Sequence, residues 1–111
     1  MDMILLLNEA LNKNLYQKLI HQLNKDFKLS NIDEEYDENI SPEKLKRDLH
    51  GLVFMLINEK FAEYLNLLYI IDVPEKTIKE LDGSDVAVLS EQVAFLILKR
   101  EWQKVWFRNK Y

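Results

Sequence analysis

The stretch that decides the fold is DVAVLSEQVAFLILKREWQKVWFR, residues 85–108. Laid out as a helix, its apolar side chains fall on two opposite stripes with narrow polar gaps between them. The first stripe holds Val86, Leu89, Val93, Leu96, Ile97, Phe107 and Tyr111, and the second holds Val88, Ala94, Phe95, Leu98, Trp102, Val105 and Trp106. Such a helix must be covered over most of its circumference. Two interpretations stay open: a central helix packed on both sides, or a helix that presents one stripe to a second copy of the protein.

Upstream of this stretch, apolar residues recur every four positions over residues 3–28. They are Leu7, Leu11, Leu15, Leu19, Leu23 and Phe27. This spacing places them on one face and predicts a single long first helix. Residues 29–41 interrupt the pattern with five acidic side chains. We interpret them as an acidic loop that can dock on a basic surface, of this protein or of a partner, with Tyr36 and Ile40 as apolar anchors.

A second long helix begins at Ser41, whose hydroxyl can cap it, with Pro42 at the first helical position. Its apolar stripe continues to about residue 71. A break near Asn58 is expected, because asparagine can cap a new helix. Gly51 in the interior of this helix indicates close approach of a neighbouring helix.

Pro74 ends the second helix, since the residue before a proline is pushed out of the helical region. A short connecting helix follows to about Leu81. In the turn after it, Gly83 is available for a left-handed cap, and Ser84 or Asp85 can cap the last helix. The sequence therefore predicts an all-α fold, a four- to five-helix bundle in a single helical domain that covers residues 1–111.

Composition excludes many catalytic and cofactor-binding motifs. The chain of 111 residues has two glycines, 32 positions apart, and no cysteine, which rules out glycine-rich phosphate loops, thiolate nucleophiles and cysteine zinc sites. The two histidines, His21 and His50, form no Glu-x-x-His pair. The longest apolar runs are far shorter than the roughly 20 residues that span a bilayer. We therefore expect a cytoplasmic protein that is not an enzyme and binds no cofactor or metal.

Residues 99–111 form a basic aromatic tail. Its net charge is +4. Because the net charge of the whole chain is -4, the rest of the chain carries -8. Its charged residues are Lys99, Arg100, Glu101, Lys104, Arg108 and Lys110, and its aromatic residues are Trp102, Trp106, Phe107 and Tyr111. This mixture is typical of surfaces that bind nucleic acid or an anionic membrane. Cations in a last helical turn are also favoured by the helix dipole alone, and the two tryptophans can equally belong to the core.

Arg100 and Lys104 fall among the apolar positions of the first stripe. A buried guanidinium needs a carboxylate partner, because an unpaired buried charge is costly. Asp72 lies at the junction before Pro74. We expect a structural ion pair between Asp72 and Arg100 that holds this turn against the last helix.

Two functions remain after these exclusions. The first is a non-enzymatic protein-interaction domain that binds a partner protein or, as a homodimer, a second copy through its C-terminal helix. The second is an anion-binding module that holds nucleic acid or an acidic membrane surface with the basic aromatic tail. The residues expected to make the interaction are Phe95, Trp102, Lys104, Val105, Trp106, Arg108 and Lys110.

Two segments carry a resemblance. LLYIIDVPE, residues 67–75, and LILKREWQKV, residues 96–105, resemble the C-terminal half of small uncharacterised bacterial proteins that look helical. One position departs from that pattern, since Ile70 stands where we expect arginine. The resemblance implies a bacterial intracellular protein and no assigned activity.

Overall fold

The computed structural model describes residues 2–110, which contain helices and no strand. The six helices are α1 (Met3–Asn12), α2 (Tyr16–Leu29), α3 (Pro42–Glu59), α4 (Phe61–Ile71), α5 (Glu75–Lys79) and α6 (Val86–Lys110). The all-α prediction is confirmed, with six helices over these residues in place of four to five. Tyr111, which we placed in the first stripe and in the tail, lies outside the described residues.

The single first helix predicted over residues 3–28 is wrong, because a turn divides it into α1 and α2. Asn14 adopts a left-handed conformation with φ 59°. The Asn14 amide donates to the Leu11 carbonyl at 3.1 Å, and the Leu15 amide donates to the Ala10 carbonyl at 2.9 Å. These are the two hydrogen bonds of a Schellman motif, which ends a helix. Leu15 is buried beyond the turn, so the four-residue spacing continues across the break and conceals it.

The second long helix is divided at Lys60, which has φ -139° and ψ 60° and separates α3 from α4. The break lies near Asn58, but Asn58 does not cap the new helix. Its Nδ2 donates back to the Phe54 carbonyl at 2.8 Å. The inference from Gly51 is wrong, because this residue is exposed and a Cβ built on it meets no atom within 4 Å.

The turn between α5 and α6 is closed by an aspartate. Asp85 Oδ1 accepts hydrogen bonds from the amides of Ala87 and Val88, at 2.9 and 3.3 Å, and so caps α6. Gly83 has no positive φ, so the expected glycine cap is absent. The left-handed residue of this region is Asp72, with φ 70°, at the end of α4.

α6 is the central helix of the fold and packs against α1, α2, α3 and α4. Its buried residues are Ser90, Val93, Ala94, Ile97, Leu98, Glu101 and Val105. They comprise the facing edges of the two predicted stripes together with Ser90 and Glu101 from the gap between them, so the two stripes form the sides of a single wide buried face. Packing on four helices accounts for this face. The outer edge of the second stripe, which holds Phe95, Trp102 and Trp106, is only half-buried and lies outside this buried face.

The acidic loop is folded onto α2. The Asn24 side chain accepts from the Tyr36 amide and donates to the Tyr36 carbonyl, each at 2.8 Å. The Tyr16 hydroxyl donates to the Ile40 carbonyl, and the rings of Phe27 and Tyr36 meet edge to face at 5.6 Å. Tyr36 and Ile40 are buried. They anchor the loop in this protein's own core and are not available to a partner.

Candidate functional site

Polar side chains meet inside the contact between α2 and α6. We call this group the charged cluster, and its members are Gln22, Asp26, Glu101, Lys104 and Arg108. The first three are buried among apolar neighbours. A helix contact that encloses charge in this way must pair it, because unpaired charge in the interior is strongly destabilising.

Donors in the cluster converge on Asp26. Lys104 Nζ lies 2.8 Å from Asp26 Oδ2, and Gln22 Nε2 donates to both carboxylate oxygens at 3.1 and 3.2 Å. Gln22 Oε1 in turn accepts from Arg108 Nη1 at 2.8 Å. Asp26 therefore has a hydrogen-bond donor at each carboxylate oxygen, although its side chain is only 3% exposed.

Glu101 has the opposite environment. Its carboxyl is fully buried, and neither oxygen accepts a hydrogen bond from a donor among the described residues. Lys104 Nζ lies 3.0 Å from Oε1 but without hydrogen-bond geometry. Burial, followed by the hydrogen bond and the charge of Asp26, raises the pKa of Glu101 from its ordinary value of 4.5 to about 9, against the lowering effect of Lys104. At neutral pH Glu101 is a neutral acid.

Glu101 is fully enclosed, and five of the surface clefts are lined by residues outside the charged cluster. One of them, of about 650 Å³, lies between α2 and the acidic loop and has Lys25 and Lys28 opposite Glu34 and Glu35. Within residues 2–110, no group of three His, Cys, Asp or Glu side chains could hold a metal ion.

Arg100 and Asp72 are in contact. Arg100 Nη2 lies 3.3 Å from Asp72 Oδ2, and Nε donates to the Asp72 carbonyl oxygen at 3.0 Å. The Asp72 side chain is 80% exposed, so solvent screens the ion pair. The bond to the carbonyl does more to hold the end of α4 against α6, because it satisfies a backbone acceptor at a helix terminus.

The residues predicted to make the interaction fall into separate groups. Lys104 and Arg108 belong to the charged cluster, and Val105 is part of the core. Lys110 lies in the exposed last turn. On the opposite edge of the helix, three aromatic side chains are half-buried: Phe95, Trp102 and Trp106. We call these three the aromatic flank.

The aromatic flank runs beside α1. The rings of Trp102 and Trp106 lie 5.9 Å apart with a tilt of 40°, and Lys13 Nζ lies 5.0 Å from the centre of the Trp106 ring. This is a cation–π distance. Phe95 lines a cleft of about 440 Å³ together with apolar side chains of α1 and α6, among them Met3 and Val88.

A second apolar surface, on α4, is more exposed than the aromatic flank. It consists of Phe61, Leu65 and Tyr69, which are 54%, 50% and 81% exposed. These residues are spaced four apart on one side of the helix. The other side buries Tyr64 and Leu68. Because α4 is apolar on both sides, its sequence pattern does not show which side is covered.

Sequence reasoning missed the charged cluster, although a signal was present. Glu101 stands three residues after Leu98 and four before Val105, both of which are apolar neighbours on the same helical face. Asp26 stands three residues after Leu23 and beside Phe27. An acid flanked in this way on each of two helices indicates a buried polar contact, whereas we counted Glu101 only in the charge of the tail.

Comparison with protein-family models, curated protein sequences and solved structures finds no match for this chain. No described helix has both the length and the apolar character needed to cross a membrane.

Proposed function

We propose that the protein is a non-enzymatic helical domain that self-associates through the aromatic flank of α6. The aromatic flank is the observation that carries the proposal. Phe95, Trp102 and Trp106 each leave part of a large apolar ring at the surface, side by side on one helix. Aromatic residues with partial exposure are enriched at protein interfaces, where they provide most of the binding energy.

The spacing along α6 supports another helix as the occupant. Val88, Phe95 and Trp102 are seven positions apart, and Trp106 follows four residues after Trp102. A seam with this repeat faces one side of a helix and suits helix–helix packing. The 25 residues of α6 give it a length of about 37 Å, so the seam can extend along the molecule. An antiparallel pair of α6 helices would place the same residues on both sides of a two-fold axis.

The alternative function is an anion-binding module. Three basic residues of the tail have internal partners, since Arg100 binds Asp72 and the charged cluster holds Lys104 and Arg108. This leaves less of the tail's charge to attract phosphate. Lys13 over Trp106 favours the alternative, because it places a further cation against the aromatic flank. An acidic membrane or a nucleic acid is therefore the second candidate occupant of the same surface.

Self-association is tested by light scattering or sedimentation over a wide range of concentrations. We expect the mass to rise from 13.3 kDa towards twice that value. Phe95→Gln and Trp106→Gln should weaken the association at least tenfold, about 1.4 kcal/mol, because each removes a ring from the seam. The matched controls are Leu65→Gln and Tyr69→Gln on α4, which should leave the association unchanged.

The outcomes separate the candidates. A mass of 13.3 kDa at every concentration contradicts self-association. Loss of the dimer in the α4 variants, with the flank variants unaffected, would move the interface to α4. Titration with acidic vesicles or single-stranded DNA at several salt concentrations tests the alternative, since binding that weakens steeply with salt is the signature of phosphate contacts.

The proposal keeps the cytoplasmic location and bacterial origin that the sequence resemblance implies. It assigns no catalytic residue, because the acid with the most perturbed pKa, Glu101, is enclosed in the core. The partner class is a second copy of this chain.

A further inference from the structure

Two buried carboxyls share one ammonium in the charged cluster. Lys104 Nζ contacts Asp26 from α2 and Glu101 from its own helix. If both carboxyls were ionised, two negative charges would face one positive charge in a space that excludes water. If one carboxyl keeps its proton, the excess negative charge is removed. Two carboxyl groups in close contact are known to behave in this way, because the pKa of one of them is raised.

The contacts show which carboxyl carries the proton. Asp26 already accepts hydrogen bonds from Gln22 and Lys104, so its ionised form is stabilised. Glu101 accepts none. A protonated Glu101 can donate its O–H to Asp26, the carboxylate that acts on it from α2. Protonation therefore gives a partner to a group that is otherwise buried without one.

We propose that Asp26 and Glu101 share a single proton at neutral pH, carried on Glu101 and donated to Asp26, and that this proton fastens the C-terminal half of α6 to α2. Loss of the proton to solvent leaves two carboxylates on one ammonium and loosens the contact. The contact between α2 and α6 is therefore pH-sensitive, whether or not α6 binds a second copy of the chain.

The charged groups that act on Glu101 among the described residues are Asp26 from α2 and Lys104 from α6. Arg108 reaches the cluster through Gln22. The direction of the raised pKa agrees with the geometry, because burial and Asp26 both favour the neutral acid. The helices α1, α3 and α4 also pack on α6 and add no group to those acting on this carboxyl.

The pH dependence follows from the raised pKa. The folded protein holds the Glu101 proton up to about pH 9, whereas the unfolded chain releases it near 4.5. The stability that the proton confers is complete below pH 4.5 and is lost progressively as the pH rises through about 9. Between pH 4.5 and about 9, the titration of Glu101 lowers the ratio of folded to unfolded protein by roughly tenfold for each unit of rising pH.

The experiment compares urea unfolding of the wild type and of Glu101→Gln between pH 5 and 9. Glutamine keeps the shape and can donate to Asp26 at every pH. We expect the variant to lack most of this tenfold-per-unit decline and to be more stable than the wild type at high pH. Asp26→Asn provides a second route, since it removes the charge that adds to burial in keeping Glu101 protonated, and it should narrow the pH range of the decline. Glu91→Gln, at an exposed position of α6, is the matched control and should keep the wild-type slope.

The loosening is followed by tryptophan fluorescence. The chain has two tryptophans, Trp102 and Trp106, which follow Glu101 by one and five residues on α6. At protein concentrations below any association, the wild-type emission should shift to the red above about pH 9, and that of Glu101→Gln should not. If stability falls equally with pH in the two proteins, the shared proton is contradicted. If both proteins show the same red shift, the claim that the proton holds α6 against α2 is contradicted.

Discussion

The acidic loop and the basic aromatic tail have similar densities of charge but opposite arrangements. In the loop, the carboxylates of Asp33, Glu35 and Asp37 are exposed, and apolar rings with backbone hydrogen bonds hold the segment to α2. In the tail, charged side chains hold the segment to α2, and the rings of Trp102 and Trp106 lie at the edge. The loop leaves its carboxylates at the surface, whereas the tail buries Glu101 and half-buries Lys104.

Backbone conformation explains the difference. An irregular loop can turn each side chain outward or inward independently. A helix cannot, because every third or fourth residue must point the same way. Glu101 and Lys104 lie on the arc that α6 buries or partly buries, so they enter the interior together with their apolar neighbours. On a helix, a run of charge in the sequence is therefore divided between the exposed and the buried face.

The largest expected effect comes from removing the ammonium of the charged cluster. Lys104→Met should lower the free energy of unfolding at pH 7 by about 3 to 5 kcal/mol, because it leaves a buried carboxylate without its cation. Urea denaturation measures the change. Lys99→Met, on the exposed side of the same helix, should stay within about 0.5 kcal/mol. Equal effects at the two positions would mean that the tail's charges are all solvated.

Stability should depend more on the neutral residue Asn24, which hydrogen-bonds to the acidic loop, than on the loop's own acidic residues. Asn24→Ala removes both hydrogen bonds to the backbone of Tyr36 and should cost about 2 kcal/mol, since two partly buried backbone groups lose their partner. Glu35→Gln should change stability by less than about 0.5 kcal/mol. Thermal unfolding of both variants checks the ranking, and a larger effect of Glu35→Gln would reverse the comparison.

The ion pair at the end of α4 should contribute little. Asp72→Asn removes the charge and keeps a residue type that tolerates a positive φ. We expect a change below about 0.5 kcal/mol, because the carboxylate is mostly exposed. Arg100→Ala should cost more, about 1 kcal/mol, since it also removes the bond to the Asp72 carbonyl. Denaturation at low and high salt separates the two contributions.

The smallest expected effect lies where the loop begins. Asn31 has φ 61°, and its amide and that of Ile32 close the end of α2 with Schellman hydrogen bonds at 3.1 and 2.9 Å. Asn31→Gly should raise stability by a few tenths of a kcal/mol, because glycine adopts this conformation without strain. The same substitution at exposed Asn12, the last residue of α1, should instead lower stability by a few tenths of a kcal/mol, because glycine is the poorer helix former and relieves no strain there. A loss at both positions would contradict this account of Asn31.

The helical class and the approximate bounds of α6 in the sequence could be predicted, because they follow from apolar spacing and cap chemistry. The contact between Arg100 and Asp72 was also accessible, since a cation among apolar positions calls for a partner. The break at Asn14 was not, because the spacing of leucines continues across the turn. Glu101 and Asp26 lie on different helices, and their meeting depends on how α2 and α6 pack. Which apolar edge of α6 or α4 stays uncovered is likewise decided by packing.

A titration of Glu101 followed by carboxyl carbon NMR tests most directly the claim that the charged cluster holds a protonated acid in the interior. We predict a midpoint near 9 for this carboxyl, with its resonance responding to Asp26→Asn. A midpoint near the ordinary value of 4.5 would contradict the shared proton and the burial of the charged cluster.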